Sequence, residues 1–198
     1  MFTLLTNVPD SLDELVAESS PPWVWLGFVF GVAFLFGETA VVILEFDEAS
    51  ANLPFILIGL AGWIYWMFCV HRFHKILIEM SRNRYPIGAG EAVGKHFIPF
   101  FNLIWIFRWP TAMSDYLNAR GRVQVVSGKL LGLLLLLSAL TARLVDGGVG
   151  LIGIFAVGIY ISTKLRRHMQ LVKGQILPPP PPDWRVLAEG AKPADNIN

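Results

Sequence analysis

Charge is what this sequence has least of. Only 16% of its 198 residues are charged, and 16 Lys and Arg set against 15 Asp and Glu leave a formal net charge of +1. A chain without a clear basic excess on one face does not neutralise a phosphate backbone, so nucleic acid is excluded as a partner. Cysteine is nearly missing. The single thiol, Cys69, rules out an internal disulfide and a cysteine metal site, and reads as a small buried apolar residue. The segment 1–21 has no Lys or Arg but holds Asp10, Asp13, Glu14 and Glu18, so it lacks the basic start of a secretory signal. The first apolar segment is therefore expected to be retained. Catalytic signatures are lacking too: there is no G-x-S-x-G, H-E-x-x-H or phosphate loop. Ser138 and Thr141 stand in a leucine-rich stretch, where hydroxyls bond back to helix carbonyls. Neither an enzyme nor a cofactor is expected.

What is present is apolar. Hydrophobic residues make up 54% of the chain, above the roughly 45–50% of soluble domains, and the mean hydropathy is +0.54. Fourteen Phe and seven Trp suit membrane interfaces and tight helix packing. Four stretches approach the roughly 20 residues that cross a bilayer core at about 1.5 Å per residue. The first, 22–44, is opened by Ser19, Ser20, Pro21 and Pro22 and anchored by Trp23 and Trp25. The second, 53–70, has Asn52 as its expected N-cap and is expected to continue as a polar helix to about Ser81. The third is 128–145. The fourth, 149–163, follows the turn signal Asp146-Gly147-Gly148.

A fifth stretch, 97–109, is short and interrupted by Pro99 and Asn102, which suits an interfacial or re-entrant segment. Charge decides its topology. His71, Arg72, His74, Lys75, Arg82, Arg84 and Lys95 crowd the connection after the second helix, and Lys164, Arg166, Arg167 and Lys173 follow the fourth. Positive loops stay cytosolic, so both clusters belong on one side, and they agree only if 97–109 dips in and returns. The expected architecture is an all-α four-helix transmembrane bundle with this broken segment between its second and third helices. Both termini are then cytosolic: an acidic N-terminal segment, 1–21, and a Pro-rich tail, 166–198, around a bundle at 22–165. The bacterial inner (plasma) membrane is the expected location. Pro178, Pro179, Pro180, Pro181 and Pro182 favour an extended polyproline II rod, either a stiff spacer or a docking strand.

Before the broken segment stands Tyr85-Pro86-Ile87-Gly88-Ala89-Gly90-Glu91-Ala92-Val93-Gly94, and within it Phe97-Ile98-Pro99-Phe100-Phe101-Asn102-Leu103-Ile104-Trp105. This pairing resembles the signature of an uncharacterised bacterial family of four-helix membrane domains, Y-P-I-x-x-G-x-A-V-G followed by F-I-P-x-F-N-x-x-W. The resemblance implies that fold and no activity. Lys95-His96 departs from the apolar pair the signature would carry. Read physically, Gly88 and Gly90 permit a tight turn, and Pro99 frees a carbonyl that Asn102 could satisfy. The segment is either a wedge closing the bundle or a substrate or lipid site.

Two ionisable residues stand inside apolar helices. Glu38 lies roughly 24 Å from Pro22, and Arg143 roughly 24 Å from Ser127. Glu38 falls within roughly 20° of Gly27, and Arg143 within roughly 60° of Gly128. Gly27 with Gly31, and Gly128 with Gly132, are spacings that allow close helix approach. The first and third helices are thus expected to touch, with Glu38 paired to Arg143, either to fix register or to relay protons. His71, His74, His96 and His168 should share one level, as headgroup-side histidines or a metal site. Arg72, Lys75, Arg82 and Arg84 read as anionic-lipid contacts. The expected role is a non-enzymatic scaffold or accessory subunit, partnered by the lipid bilayer and by a membrane protein or a second copy. A small transporter or channel using Glu38, Arg143, Pro99 and Asn102 is the alternative.

Overall fold

The computed structural model describes residues 20–43, 48–81, 84–119 and 124–173. The acidic segment through residue 19, the connection 44–47, Arg82 and the proline tail lie outside the described residues. The described chain is helical, with no strand among its described residues. The helices are α1 (Val24–Ile43), α2 (Glu48–Met80), α3 (Ala89–Gly94), α4 (Phe101–Ala119), α5 (Gly128–Leu144) and α6 (Gly147–Lys173), with a single 3₁₀ turn at Lys95–Phe97.

Two of these helices are long and apolar enough to cross a membrane: Leu53–Met80, at a mean hydropathy of 2.0, and Gly147–Leu171, at 1.7. The apolar part of α1, Val24–Ala40, is shorter. Only 28% of the most apolar stretch of α2 is buried, whereas the central helix of a water-soluble protein would be covered on most sides. Leu53, Ile56, Leu57, Leu60 and Ile64 lie exposed along it.

Helix bounds differ from the expected ones in three places. α4 carries Pro110 within it and runs to Ala119, where the apolar stretch was expected to end at Trp109. α2 starts at Glu48, so Asn52 is inside the helix rather than its N-cap, and Pro54 is carried within the first two turns. As the seventh helical residue, Pro54 removes the N–H that would otherwise donate to the Ser50 carbonyl, a loss the helix carries close to its start. α6 runs on to Lys173, so Lys164, Arg166 and Arg167 are helical. Ile161, Leu165 and Met169 continue its buried face at four-residue spacing, which the hydropathy drop after Thr163 conceals. The Asp146 turn does form: its Oδ1 accepts the Val149 N–H at 2.7 Å, capping α6.

α6 is the organising helix. It packs against α1 and α5 and touches α2, while α1 also lies on α2, and α4 pairs with α5. The core sits at the histidine end of α2, where Phe73, Ile76 and Leu77 are wholly buried. That half does not project as a bare polar helix; α3 packs directly on it. Each such apolar side chain removed from water contributes about 1.5–3 kcal/mol.

Candidate functional site

The chain between α2 and α5 forms a helical hairpin clasping the buried half of α2. Its descending arm starts at Tyr85, buried beside His74 with ring centroids 5.7 Å apart, and passes through α3 to Phe97. The Phe97 ring meets Trp63 of α2 edge-on at 5.4 Å. The chain reverses at Pro99 and Phe100, and α4 climbs back. Trp109 packs edge-on against His74 at 5.5 Å, and Tyr116 against Tyr85, also at 5.5 Å. The hairpin therefore enters and leaves at one level of α2, and its tip reaches Trp63.

A buried carbonyl fastens the two arms. The Trp105 indole N–H donates to the Ala92 carbonyl at 2.9 Å, and His96 Nδ1 lies 2.7 Å from the same oxygen. Ala92 is wholly buried, so its small side chain permits this approach. The reversal needs one strained residue, and it is no glycine: Phe100 has φ 61°. Gly88 precedes α3 with an extended backbone and Gly90 lies within α3, so neither makes the tight turn expected of them.

Asn102 does not satisfy a carbonyl freed by Pro99. Its backbone N–H donates to Ile98 O at 3.1 Å, while its buried side-chain Oδ1 has no partner among the described residues. The lysine at the unexpected Lys95-His96 pair forms an ion pair with Glu91 and lies 4.5 Å from the Trp105 ring centre. That hydrogen bond holds the Glu91 carboxyl below its usual range. Burial lowers His96 below its ordinary 6.5, raises the Tyr85 phenol and raises Asp115.

The four histidines do not share one environment. His71 is exposed, whereas His74 and His168 are wholly buried, which takes both out of contact with lipid headgroups. His74 Nδ1 contacts the Val70 carbonyl at 2.9 Å, leaving a buried Nε2 with no hydrogen bond among the described residues. No group of three or more potential ligands for a metal ion occurs among the described residues.

The expected meeting of the first and third apolar helices does not occur through their glycines. A side chain at Gly27 or Gly31 would strike Phe155 or Ile152 of α6, and one at Gly128 or Gly132 would strike α4 backbone between Ile106 and Thr111. Each small-residue face accommodates a different neighbour, because α6 lies between α1 and α5. Glu38 and Arg143 line one open groove of about 590 Å³ with Thr39 and Asp146. No ion pair joins Glu38 to Arg143; among the described residues such pairs are Lys75–Glu79 and Lys95–Glu91. The Glu38 carboxyl instead lies against Asp146 and the Gly148 backbone.

No protein-family model, curated protein or solved structure matches the chain.

The residues expected at lipid headgroups have mixed surroundings. Arg72 donates to the Ser20 carbonyl at 3.2 Å, tying α2 to the start of α1, and Lys75 lies 3.9 Å from Glu79. Arg84 is exposed and its backbone N–H donates to Ser81 Oγ at 3.1 Å. Ser138 bonds back to the Leu134 carbonyl at 2.8 Å. Sequence reasoning gave Trp105 no role beyond closing the F-I-P-x-F-N-x-x-W signature and Trp109 none beyond ending the apolar stretch; an indole donor 13 positions from a buried carbonyl carries no periodic signal.

Proposed function

We propose that this chain is a non-enzymatic multi-pass membrane protein of the inner membrane, a scaffold or accessory subunit that packs against a larger membrane complex or a second copy. In this reading α1, α2, α5 and α6 cross the bilayer, both termini are cytosolic, and the α3–α4 hairpin dips to the interface and returns. The carrying observation is the surface of α5. Leu130, Leu133, Leu134, Leu137, Leu140 and Leu144 are exposed along one helical stripe, while Leu131 and Leu135 on the other side are buried. A continuous leucine stripe suits lipid or another apolar helix and offers no chemistry.

The hairpin also suggests a reason for the family-like signature. The tryptophan ending its second motif, Trp105, donates to the alanine of its first, Ala92. We propose that the signature marks this clasp.

The test is isolation of the full chain from membranes in mild detergent. Co-purification of a membrane partner, or a stable homo-oligomer, is expected; a lone monomer in every detergent tried would refute the scaffold role. One observation favours a transport role: the groove holding Glu38, Arg143 and Asp146. Uptake or conductance unchanged in Glu38→Gln and Asn102→Ala would dispose of it.

A further inference from the structure

A second groove lies between the start of α1 and the later half of α6, away from the hairpin. It has a volume of about 440 Å³ and is walled by Trp23, Trp25, Ile159, Ser162, Thr163 and Arg166. That volume falls within the roughly 300–1,000 Å³ of small-molecule sites. We propose that this groove binds the phosphate headgroup of an anionic phospholipid, an inference that rests on the membrane reading above.

The donors fit that chemistry. Arg166 is exposed, has no ion pair among the described residues, and presents a planar fork that matches phosphate oxygens two at a time. Thr163 commits its hydroxyl to the Ile159 carbonyl at 2.8 Å. Ser162 does not: it is only 8% exposed, and its hydroxyl makes no hydrogen bond among the described residues, although it lines the groove. A serine nine-tenths buried as a residue, lining the groove with a hydroxyl that has no partner among the described residues, points to an oxygen-bearing ligand. The N-terminus of the 20-residue α1 lies at the same place and adds its positive dipole end. No described carboxylate lines the groove to compete for Arg166.

The walls favour a lipid over free phosphate. Trp23 and Trp25 are 72% and 58% exposed, and the apolar surface continues down α1 through Val29, one turn beyond Trp25. A headgroup at Arg166 would leave its acyl chain lying along that stripe. The level is also right. Trp23 O accepts the Tyr65 hydroxyl at 2.9 Å, and Ser20 O accepts from Arg72. The groove is therefore beside the zone where exposed residues of α2 change from Phe68 to His71 and Lys75, the transition expected at a phosphate layer.

The test titrates the full chain in detergent micelles with phosphatidylglycerol, with phosphatidylcholine of the same acyl chains and with inorganic phosphate, counting bound molecules by native mass spectrometry. Phosphatidylglycerol should bind best, Arg166→Gln should weaken it about tenfold, as expected for losing a charged hydrogen-bonding partner, and Ser162→Ala should weaken it several-fold. Arg167→Gln, a neighbouring cation that does not line the groove, should bind as the parent does. Equal binding of the two lipids, no loss in Arg166→Gln, or displacement by inorganic phosphate at the same concentration overturns the proposal. Release of the chain from membranes by alkaline carbonate, measured first, would sink the membrane reading and the headgroup site together. Resistance to carbonate with no lipid preference would sink the site alone.

Discussion

His96 shows how a single partly buried polar residue couples this fold to its surroundings. Its ring lies beside Trp109, with centroids 6.5 Å apart, and burial holds its proton affinity below the ordinary 6.5. The unfolded chain therefore takes up a proton as pH falls through 6.5 while the folded chain resists it. Stability should be full above that pH and decline as pH drops toward the lowered folded value. Melting curves in detergent between pH 7.5 and 5 should show this decline, and a shallower one in His96→Gln; an unchanged slope would remove His96 from the account. The glycines give a sharper pair of variants. A Cβ at Gly128 would stand 2.2 Å from Thr111 Cα, whereas one at Gly90 meets nothing within 4 Å. Gly128→Ala should cost about 1–3 kcal/mol or more, because backbone cannot give way as a side-chain tip can. Gly90→Ala, inside α3, should gain up to about 1 kcal/mol. Thermal denaturation of both variants checks the two signs together.

The element that most needs explanation is the α3–α4 hairpin. Its tip is apolar and exposed: Phe97, Ile98, Phe100, Leu103 and Ile104 all face outward. Beyond the tip, the exposed residues of α4 pass from Leu103 and Ile104 to Arg108 and then Asp115. That ordering from apolar through basic to acidic suits an element entering an interface end-on. The strain at Phe100 yields a prediction for the element. The residue is 87% exposed at φ 61°, so it has little packing to lose. Phe100→Gly should stabilise the detergent-solubilised chain by about 1 kcal/mol, since left-handed backbone costs a bulky residue roughly 1–2 kcal/mol. A loss of stability would show that the ring is held by contacts outside this chain.

At the scale of the whole molecule, α2 and α6 are longer than a membrane requires. Their 33 and 27 residues span about 50 and 40 Å, against a hydrocarbon core of roughly 30 Å. The excess of both carries the basic residues, and the hairpin covers the excess of α2. Labelling of introduced cysteines checks this arrangement cleanly, because Cys69 is wholly buried and adds little background. Val145, 80% exposed at the turn between α5 and α6, should react as Val145→Cys with an impermeant maleimide added outside intact cells. Arg167→Cys should react only after the membrane is opened. The reverse pattern would invert the topology, and labelling of both from outside would end it.

Much of the helical frame was legible in the chain because long apolar runs bounded by Pro, Asn, Asp and Gly leave few alternatives. The runs at 22–44, 53–70, 128–145 and 149–163 each coincide with a helix over their described residues, whereas 97–109 divides into a reversal at Pro99 and Phe100 and the first part of α4. Partner choice was not legible. Gly27 and Gly128 advertise close approach, but a glycine says nothing about which helix will approach, and here α6 and α4 do so. Glu38 and Arg143 agree in depth along their axes, yet the rotation of α1 on α6 turns Glu38 to Asp146. The histidines all stand among basic residues in the sequence, but the returning α4 places Trp109 over His74 and takes it out of contact with water. Sequence by itself determined the elements, since backbone hydrogen bonding and hydropathy are local. Only the tertiary structure decided which faces meet, because that depends on shapes brought together across the whole chain.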